Sequence, residues 1–390
     1  MAGPRAKDSM RRMAPMSRVL LCKQVIVTAL LGLALIAPTS CSSRSSQTPP
    51  IADAEPEVTL PELLGRDVRA LPLPGGTCIV GRFSDGALLV KVISRGAPDS
   101  LEPGLYTYSA ADGIIAPFYQ TEGQYELEHE VVRAGTWAVW IEARAPLYQD
   151  WSIKARNHLT GEQLEVARAR VSELAGSVPT AYIGRLRGHG SIVTWPCTAP
   201  DAAGAPASTL NLFDLSTRRH ELLAVLERDG GARHGGVDVD GDFVAYDVGR
   251  PGPSAIEGRL MLLNRRDGSQ LQLDSGPIRY LGGLNWPWVV WQAGDYTIKA
   301  RNLASGREIA ATGASRWLPT VWGNVVTWMQ SADEPVRVLF LDHGREAALP
   351  WKSTGGAHLV DGLLCWWERD AADPKHVITR YMDLGSVHEE

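Results

Sequence analysis

Three stretches bring together side chains able to do chemistry. DVDGDF, from Asp238 to Phe243, alternates the carboxylates of Asp238, Asp240 and Asp242, a pattern that could hold calcium. A calcium loop of that kind needs glycine at its sixth place and a Glu further on. Phe243 stands at the sixth place and no suitable Glu follows, so the stretch reads as a hairpin turn and no metal is assigned. RLRGHGS places Arg185, Arg187 and His189 within one short segment. Guanidinium forks suit an anion or a carboxylate, so these three are the candidate ligand-binding residues, against the plainer reading of a solvated loop entering a strand. The pairs Trp286/Trp288 and Trp366/Trp367 offer a stacking platform for a sugar, or packing between sheets. Ser191 lacks the GxSxG turn of a hydrolase, and His234 has no partner visible in the sequence. No catalytic residue and no cofactor follow from these residues.

The elements that would position these side chains come from a repeat. IKARN occurs at 153–157 and again at 298–302, and each copy is followed by glycine at the same distance, Gly161 and Gly306. In a strand, side chains alternate between faces, so Ile and Ala share one face while Lys and Arg take the other. Asn then opens a turn by bonding its own backbone, and Gly supplies the positive φ that a tight hairpin needs. The same unit recurs along the chain: a Gly-containing turn, an apolar run ending at an aromatic, a polar loop and an alternating strand. Aligning the ends of the first runs gives Val90, Trp140, Trp195, Tyr246, Trp291, Trp328 and Trp366. Short strands repeating at about 40–50 residues predict a β-propeller. The fold expectation is all-β: seven blades of four antiparallel strands, with six or eight as alternatives. EQLEVARARVSELAG and RRHELLAVLERDG also fit a helical period. The repeat context favours strands there.

The turns before VVTW and FVAY, with the later NLASG and NHLTG turns, resemble the TolB-type exported β-propellers over about residues 60–390. No Trp-Asp dipeptide follows the second strands, unlike the WD40 type. The last repeat ends near Gly385 without a fourth strand, and the segment from Val68 to Leu73 is expected to supply it.

The first 40 residues differ from the rest. Arg5, Lys7, Arg11, Arg12, Arg18 and Lys23 precede the uncharged run QVIVTALLGLALIAPTS, which ends at Cys41. A basic segment, an apolar core and small residues make an export signal. Thr39 and Ser40 before Cys41 resemble the lipobox of bacterial lipoproteins, although Pro38 departs from it. That resemblance implies lipidation at Cys41. Residues 1–40 are read as the signal, 41–57 as a flexible tether and 58–390 as one propeller domain. Removal of the signal takes six basic residues and one acidic one, so the net charge of −5 becomes about −10. A chain so acidic does not neutralise phosphates, which excludes nucleic acid as a partner. Cys78, Cys197 and Cys365 then remain; they read as buried thiols, with a Cys78–Cys365 disulfide as the alternative. The resulting expectation is an exported protein, attached by lipid to the cell membrane or outer membrane, or else secreted. It binds an envelope protein or a saccharide without catalysis. A propeller hydrolase or lyase acting on saccharide, and a purely structural surface protein, are the alternatives.

Overall fold

The computed structural model describes residues 63, 65–73, 77–92, 101–120, 125–144, 150–170, 183–200, 206–226, 233–251, 256–311, 318–373 and 377–385. The signal, the tether, Cys22 and Cys41 lie outside them. Residues 1–53 and 54–390 form two units, and all the described residues belong to the second.

The chain builds one sheet after another. A short strand, β1 (Val68–Ala70), comes first. The next sheet is β2 (Thr77–Arg82), β3 (Leu88–Val92), β4 (Gly104–Tyr108) and β5 (Ile115–Tyr119). A second holds β6 (Tyr125–Ala134), β7 (Trp137–Arg144), β8 (Asp150–Asn157) and β9 (Gln163–Arg170). A third holds β10 (Arg187–His189), β11 (Ile192–Pro200), β12 (Pro206–Asp214) and β13 (Arg219–Leu226). A seven-stranded sheet follows: β14 (Arg233–Asp240), β15 (Phe243–Pro251), β16 (Ile256–Asn264), β17 (Gln270–Asn285), β18 (Trp288–Ala293), β19 (Ile298–Asn302) and β20 (Glu308–Ala311). Then come β21 (Thr320–Trp322), β22 (Val325–Trp328), β23 (Glu334–Phe340) and β24 (Arg345–Ser353). The last sheet is β25 (Ala357–Val360), β26 (Leu363–Arg369) and β27 (Val377–Asp383), completed by β1. Every pairing is antiparallel and, apart from β1 with β27, in meander order, and β17 is long enough to pair β16 with its first half and β18 with its second. Both helix-compatible stretches are strands, β9 and β13; residues 171–182 lie outside the described set.

The first strand of each unit touches the next: β2 meets β6, β6 meets β10, and so on through β14, β17, β21 and β25, which returns to β2. This closed cycle of inner strands, with antiparallel sheets radiating from it, is the propeller arrangement. Closure follows the expected route. Val68, Arg69 and Ala70 pair with Met382, Tyr381 and Arg380, and the Leu71 amide donates to the Thr379 carbonyl at 2.8 Å.

Burial explains the sequence pattern. Second strands are covered on both faces by neighbouring sheets, so β3, β18 and β22 are buried at every position and read as continuous apolar runs. Outer strands such as β24 mix exposed and half-buried positions with few buried ones. Trp140, Trp195, Trp291, Trp328 and Trp366 are each less than 2% exposed and fill the wedges between sheets. Each buries roughly 200 Å², on the order of 5 kcal/mol of gross apolar transfer. The two IKARN strands are equivalent strands β8 and β19, and their turns match bond for bond. The Asn157 side-chain oxygen accepts from the Leu159 and Thr160 amides, as Asn302 does from Ala304 and Ser305. Gly161 and Gly306 follow at φ 73° and 74°.

Cys78, Cys197 and Cys365 are all free thiols. Thr77 and Ile79 on either side of Cys78 face the closing sheet, through the Thr379 hydroxyl and a cluster holding Cys365 and Tyr381. Alternation along β2 therefore puts Cys78 on the strand's other face, though near enough for its charge to bear on Cys365. Burial pushes the Cys78 thiol up to about 11, against the opposing charge of Lys91, and also raises Cys197 and Cys365. Iodoacetamide at about pH 8 is expected to leave these three unmodified in the native protein and to label all three after denaturation without reductant. Labelling of Cys197 alone, read by peptide mass, would reveal a Cys78–Cys365 disulfide instead.

Candidate functional site

The two ends of the ring are built differently. One end carries the hairpins that join first to second and third to fourth strands. Its charged side chains stitch neighbouring sheets together. Arg82 bonds Asp383 at 2.6 Å, and His158 bonds Asp85 at 2.7 Å while stacking on Phe83. Arg218 pairs with Glu162, Arg265 lies 3.9 Å from Glu221, and Arg307 donates to the Asp342 carbonyl. Nearer the axis, side chains of one inner strand accept from amides of the next. Asp238 takes Leu284, Asp240 takes Trp286, Asn285 takes Gly323 and Thr320 takes Leu359. Arg133 of β6 passes over Gly81 of β2 to reach Asp361, two sheets away, through Nε and Nη2, both at 2.7 Å. Asp361 also accepts from the Arg82 amide at 2.8 Å. The alternating carboxylates of DVDGDF are thus consumed as framework: Asp238 and Asp240 bind backbone amides and Asp242 pairs with Arg266.

A second polar construction surrounds the wedge tryptophans. Trp140 Nε1 donates to Glu142 at 3.3 Å, and Lys154 and Tyr119 bond the same carboxylate. Trp291 Nε1 donates to Asp274 at 2.8 Å, with Lys299 on that oxygen at 3.0 Å. Arg156 then donates to the Phe118 carbonyl of the preceding sheet, and Arg301 to the Leu273 carbonyl in the first half of β17. Both IKARN strands therefore clamp the neighbouring outer strand through Lys and Arg. Burial, reinforced by the Glu142 bond, pushes the Tyr119 phenol up to about 12. Burial lowers Lys154, but Glu142 outweighs it and the net shift is upward. Neither group is a base near neutrality, so the cluster suits cohesion rather than proton transfer.

The other end, where second strands finish and third strands begin, is the connection end. The candidate residues run along the inner edge of the third sheet. Arg185 lies before the strand toward the connection end, Arg187 begins β10 and His189 ends it beside the hairpin turn at Gly190. Arg185 Nε and Arg187 Nη1 each stand 3.6 Å from Glu130 of β6. Arg187 Nε is 3.8 Å from Asp238, and His189 is 3.3 Å from Asp240. The Arg185 guanidinium also lies over the Tyr280 ring, 5.8 Å from its centroid. The structure thus brings Arg185 and Arg187 together at one carboxylate and leaves His189 at the opposite end of the strand. Burial raises the Asp238 carboxyl, against the lowering effect of Arg187. Glu130 and Tyr280 escape sequence reasoning because they come from sheets on either side, with no local signal linking them to RLRGHGS. The Trp pairs are engaged elsewhere. Trp288 and Trp366 are buried, Trp286 stacks on Phe243 at 4.5 Å, and Trp367 donates to the Thr77 carbonyl. The side chain of His234 lies outside the described residues.

No family model and no curated protein matches the sequence. Solved structures do match in fold. An oligogalacturonate lyase in complex with manganese is 13% identical with a TM-score of 0.54, covering 83% of this chain and 94% of its own. An oligogalacturonate lyase from Vibrio parahaemolyticus is 12% identical with a TM-score of 0.53, covering 82% and 94%. A prolyl endopeptidase is 12% identical with a TM-score of 0.56 over 82% of this chain and 51% of that one. At such identities the likeness is one of fold, and it identifies the chain as a β-propeller.

Proposed function

We propose that the chain is an exported, lipid-anchored binding module of the cell envelope, carried on a propeller of seven blades. In this count the seven-stranded sheet is two blades sharing β17, and the kinship is with TolB-type exported propellers. Residues 1–40 direct export, Cys41 carries the lipid and residues 41–57 tether the ring. The module recognises an envelope protein or saccharide without transforming it. The observation that carries this reading is the inequality of the two ends. The hairpin end spends its charges on its own sheets, whereas toward the connection end Arg185, Arg187, Glu130 and Tyr280 come together from three different sheets. A rigid ring that gathers side chains of several sheets at one end suits recognition.

Intact mass of the mature protein from its native host tests the anchor. A diacylglyceryl adduct that disappears in Cys41→Ala is the expected result; an unmodified, cleaved chain would point to a secreted protein. A photocrosslinking residue tests the face. Placed at Tyr280 it is expected to capture a partner, and placed at Leu159, an exposed hairpin residue on the other end, it is expected to capture none. Equal capture from both positions would sink the assignment of the binding face.

A further inference from the structure

The chain enters the ring from one particular side. Third strands end and fourth strands begin at the hairpin end, and β1 serves as the fourth strand of the last sheet. Val68 pairs with Met382 and Ala70 with Arg380, so the chain comes in at the hairpin end and runs from there toward the connection end. The entering segment is fixed where it arrives. Leu63 is buried in the cluster between the last two sheets, and Arg66 donates to the Asp383 carbonyl at 2.7 Å. From Asp383 the contacts continue round the same end. Arg82 of the first four-stranded sheet bonds Asp383, and Asp85, beside it in the turn, bonds His158 of the second. The last, first and second sheets thus form one joined sector of the hairpin end, with the incoming chain at its start.

That sector carries the exposed apolar tips. Ile114, between β4 and β5, is 62% exposed, and Leu159, between β8 and β9, is 64% exposed. The matching turns further round the ring present Ser216 and Thr217, Arg266, Ala304 and His343. Among the described residues, the other exposed large apolar side chains stand elsewhere. Leu222, Val225 and Leu271 lie within strands β13 and β17 on the flank, and Tyr280 lies toward the connection end.

Resting on the reading of Cys41 as the lipid carrier, we propose that this sector is the surface by which the ring lies against the membrane. Ile114 and Leu159 enter the boundary between headgroups and acyl chains, and the connection end faces away. Cys41 precedes Leu63 by 22 residues, a stretch that spans at most about 75 Å. The lipid therefore keeps the hairpin end within reach of the bilayer, and the sector of entry is the part it draws in. Aliphatic side chains gain by leaving water for the acyl boundary. An attached lipid makes their contact an intramolecular event, so two tips can set an orientation that they could not hold unaided. The connection end then stands a strand length further out, about 20–30 Å from the bilayer side.

Unlipidated mature protein, coupled through Cys41 to a maleimide phospholipid, tests the contact. Burial raises the other three thiols, so coupling falls on Cys41. The vesicles are phosphatidylethanolamine and phosphatidylglycerol doped with a diazirine-bearing lipid. Photolysis and peptide mass are expected to find label at residues 109–115 and 157–161, and none at 302–306 or at Tyr280. Ile114→Ser combined with Leu159→Ser is expected to lower the labelling of both turns about tenfold. Both side chains are exposed, so the unfolding temperature is expected to stay at the parent's. No label at either turn, equal label at 302–306 or Tyr280, or label unchanged in the double variant overturns the proposal. The lipid is supplied chemically, so this result is separate from the mass of the native protein. A native adduct without labelled turns keeps the anchor and removes the membrane face. Labelled turns without a native adduct remove the anchor and keep the face.

Discussion

Asp361→Ala is expected to destabilise the ring by about 3–5 kcal/mol, the range for breaking a buried ion pair from one side. The Arg133 side chain is 12% exposed and that of Asp361 is 18%, so water cannot readily take over the lost carboxylate. The Arg82 amide loses its acceptor in the same change. A third cost comes from the backbone, since Asp361 sits at φ 46°, a conformation that Asp and Asn tolerate better than Ala. Asp361→Asn separates these contributions. It keeps the turn and an acceptor for Arg82 but removes the charge, so a smaller loss is expected. Asp361→Gly relieves the backbone but takes from Arg133 its carboxylate, leaving the Gly135 carbonyl at 3.0 Å, so it is expected to resemble Ala more than Asn. Chemical denaturation of all three checks the order. A loss under about 1 kcal/mol for Ala would mean that Arg133 is solvated like a surface residue and that the span over Gly81 contributes nothing.

That span also shows what the sequence could not display. Arg133 and Asp361 are separated by 228 residues, and Gly81 becomes meaningful only when it lies between them. An added Cβ at Gly81 would stand 2.7 Å from the Arg133 Cβ. Nothing in the composition of β2 announces this, because the reason lies in a neighbouring sheet. The IKARN strands are the opposite case. Their alternation, their Asn turn and their Gly all follow from local chemistry, and the structure reproduces each bond twice. The wedge tryptophans were legible for the same reason, since a strand covered on both faces must be apolar throughout. Only part of the Lys and Arg of IKARN could be read. Alternation places them opposite Ile and Ala, but does not show that Glu142 and Asp274 hold the lysines or that the Phe118 and Leu273 carbonyls take the arginines. Those two carboxylates come from different strands, β7 and β17, yet occupy equivalent places beside Trp140 and Trp291.

The candidate site divides in the same way. Arg185 and Arg187 were visible as a local cluster, whereas Glu130 and Tyr280 enter from other sheets. Only sequence distance groups His189 with them. In a strand that rises about 3.3 Å per residue, four residues are enough to carry it towards the hairpin end. There it meets Asp240, which also accepts from the Trp286 amide.

Deleting residues 58–73 from the mature protein is expected to abolish cooperative unfolding of the ring. The loss goes beyond three paired residues. Leu63 is fully buried in the cluster between the last two sheets, with Val336, Val338 and Leu384 among its neighbours. Leu71 is buried on the other side of the closing sheet, with Ile79, Val90 and Tyr381. The segment therefore caps both faces of that sheet as well as pairing with its edge. Leu63→Ala and Leu71→Ala are each expected to cost about 2–5 kcal/mol, as buried Leu truncations do. Because they belong to separate clusters, their costs are expected to be nearly additive. Deletion also bares the edge of β27, a template for pairing with another chain. Light scattering is expected to show self-association of the shortened protein. A synthetic peptide of residues 58–73 is expected to suppress it by restoring the missing strand. A shortened protein that stays monomeric and unfolds at the parent's temperature would mean that the ring is held by its inner polar contacts alone, with β1 merely lying on a sheet already complete.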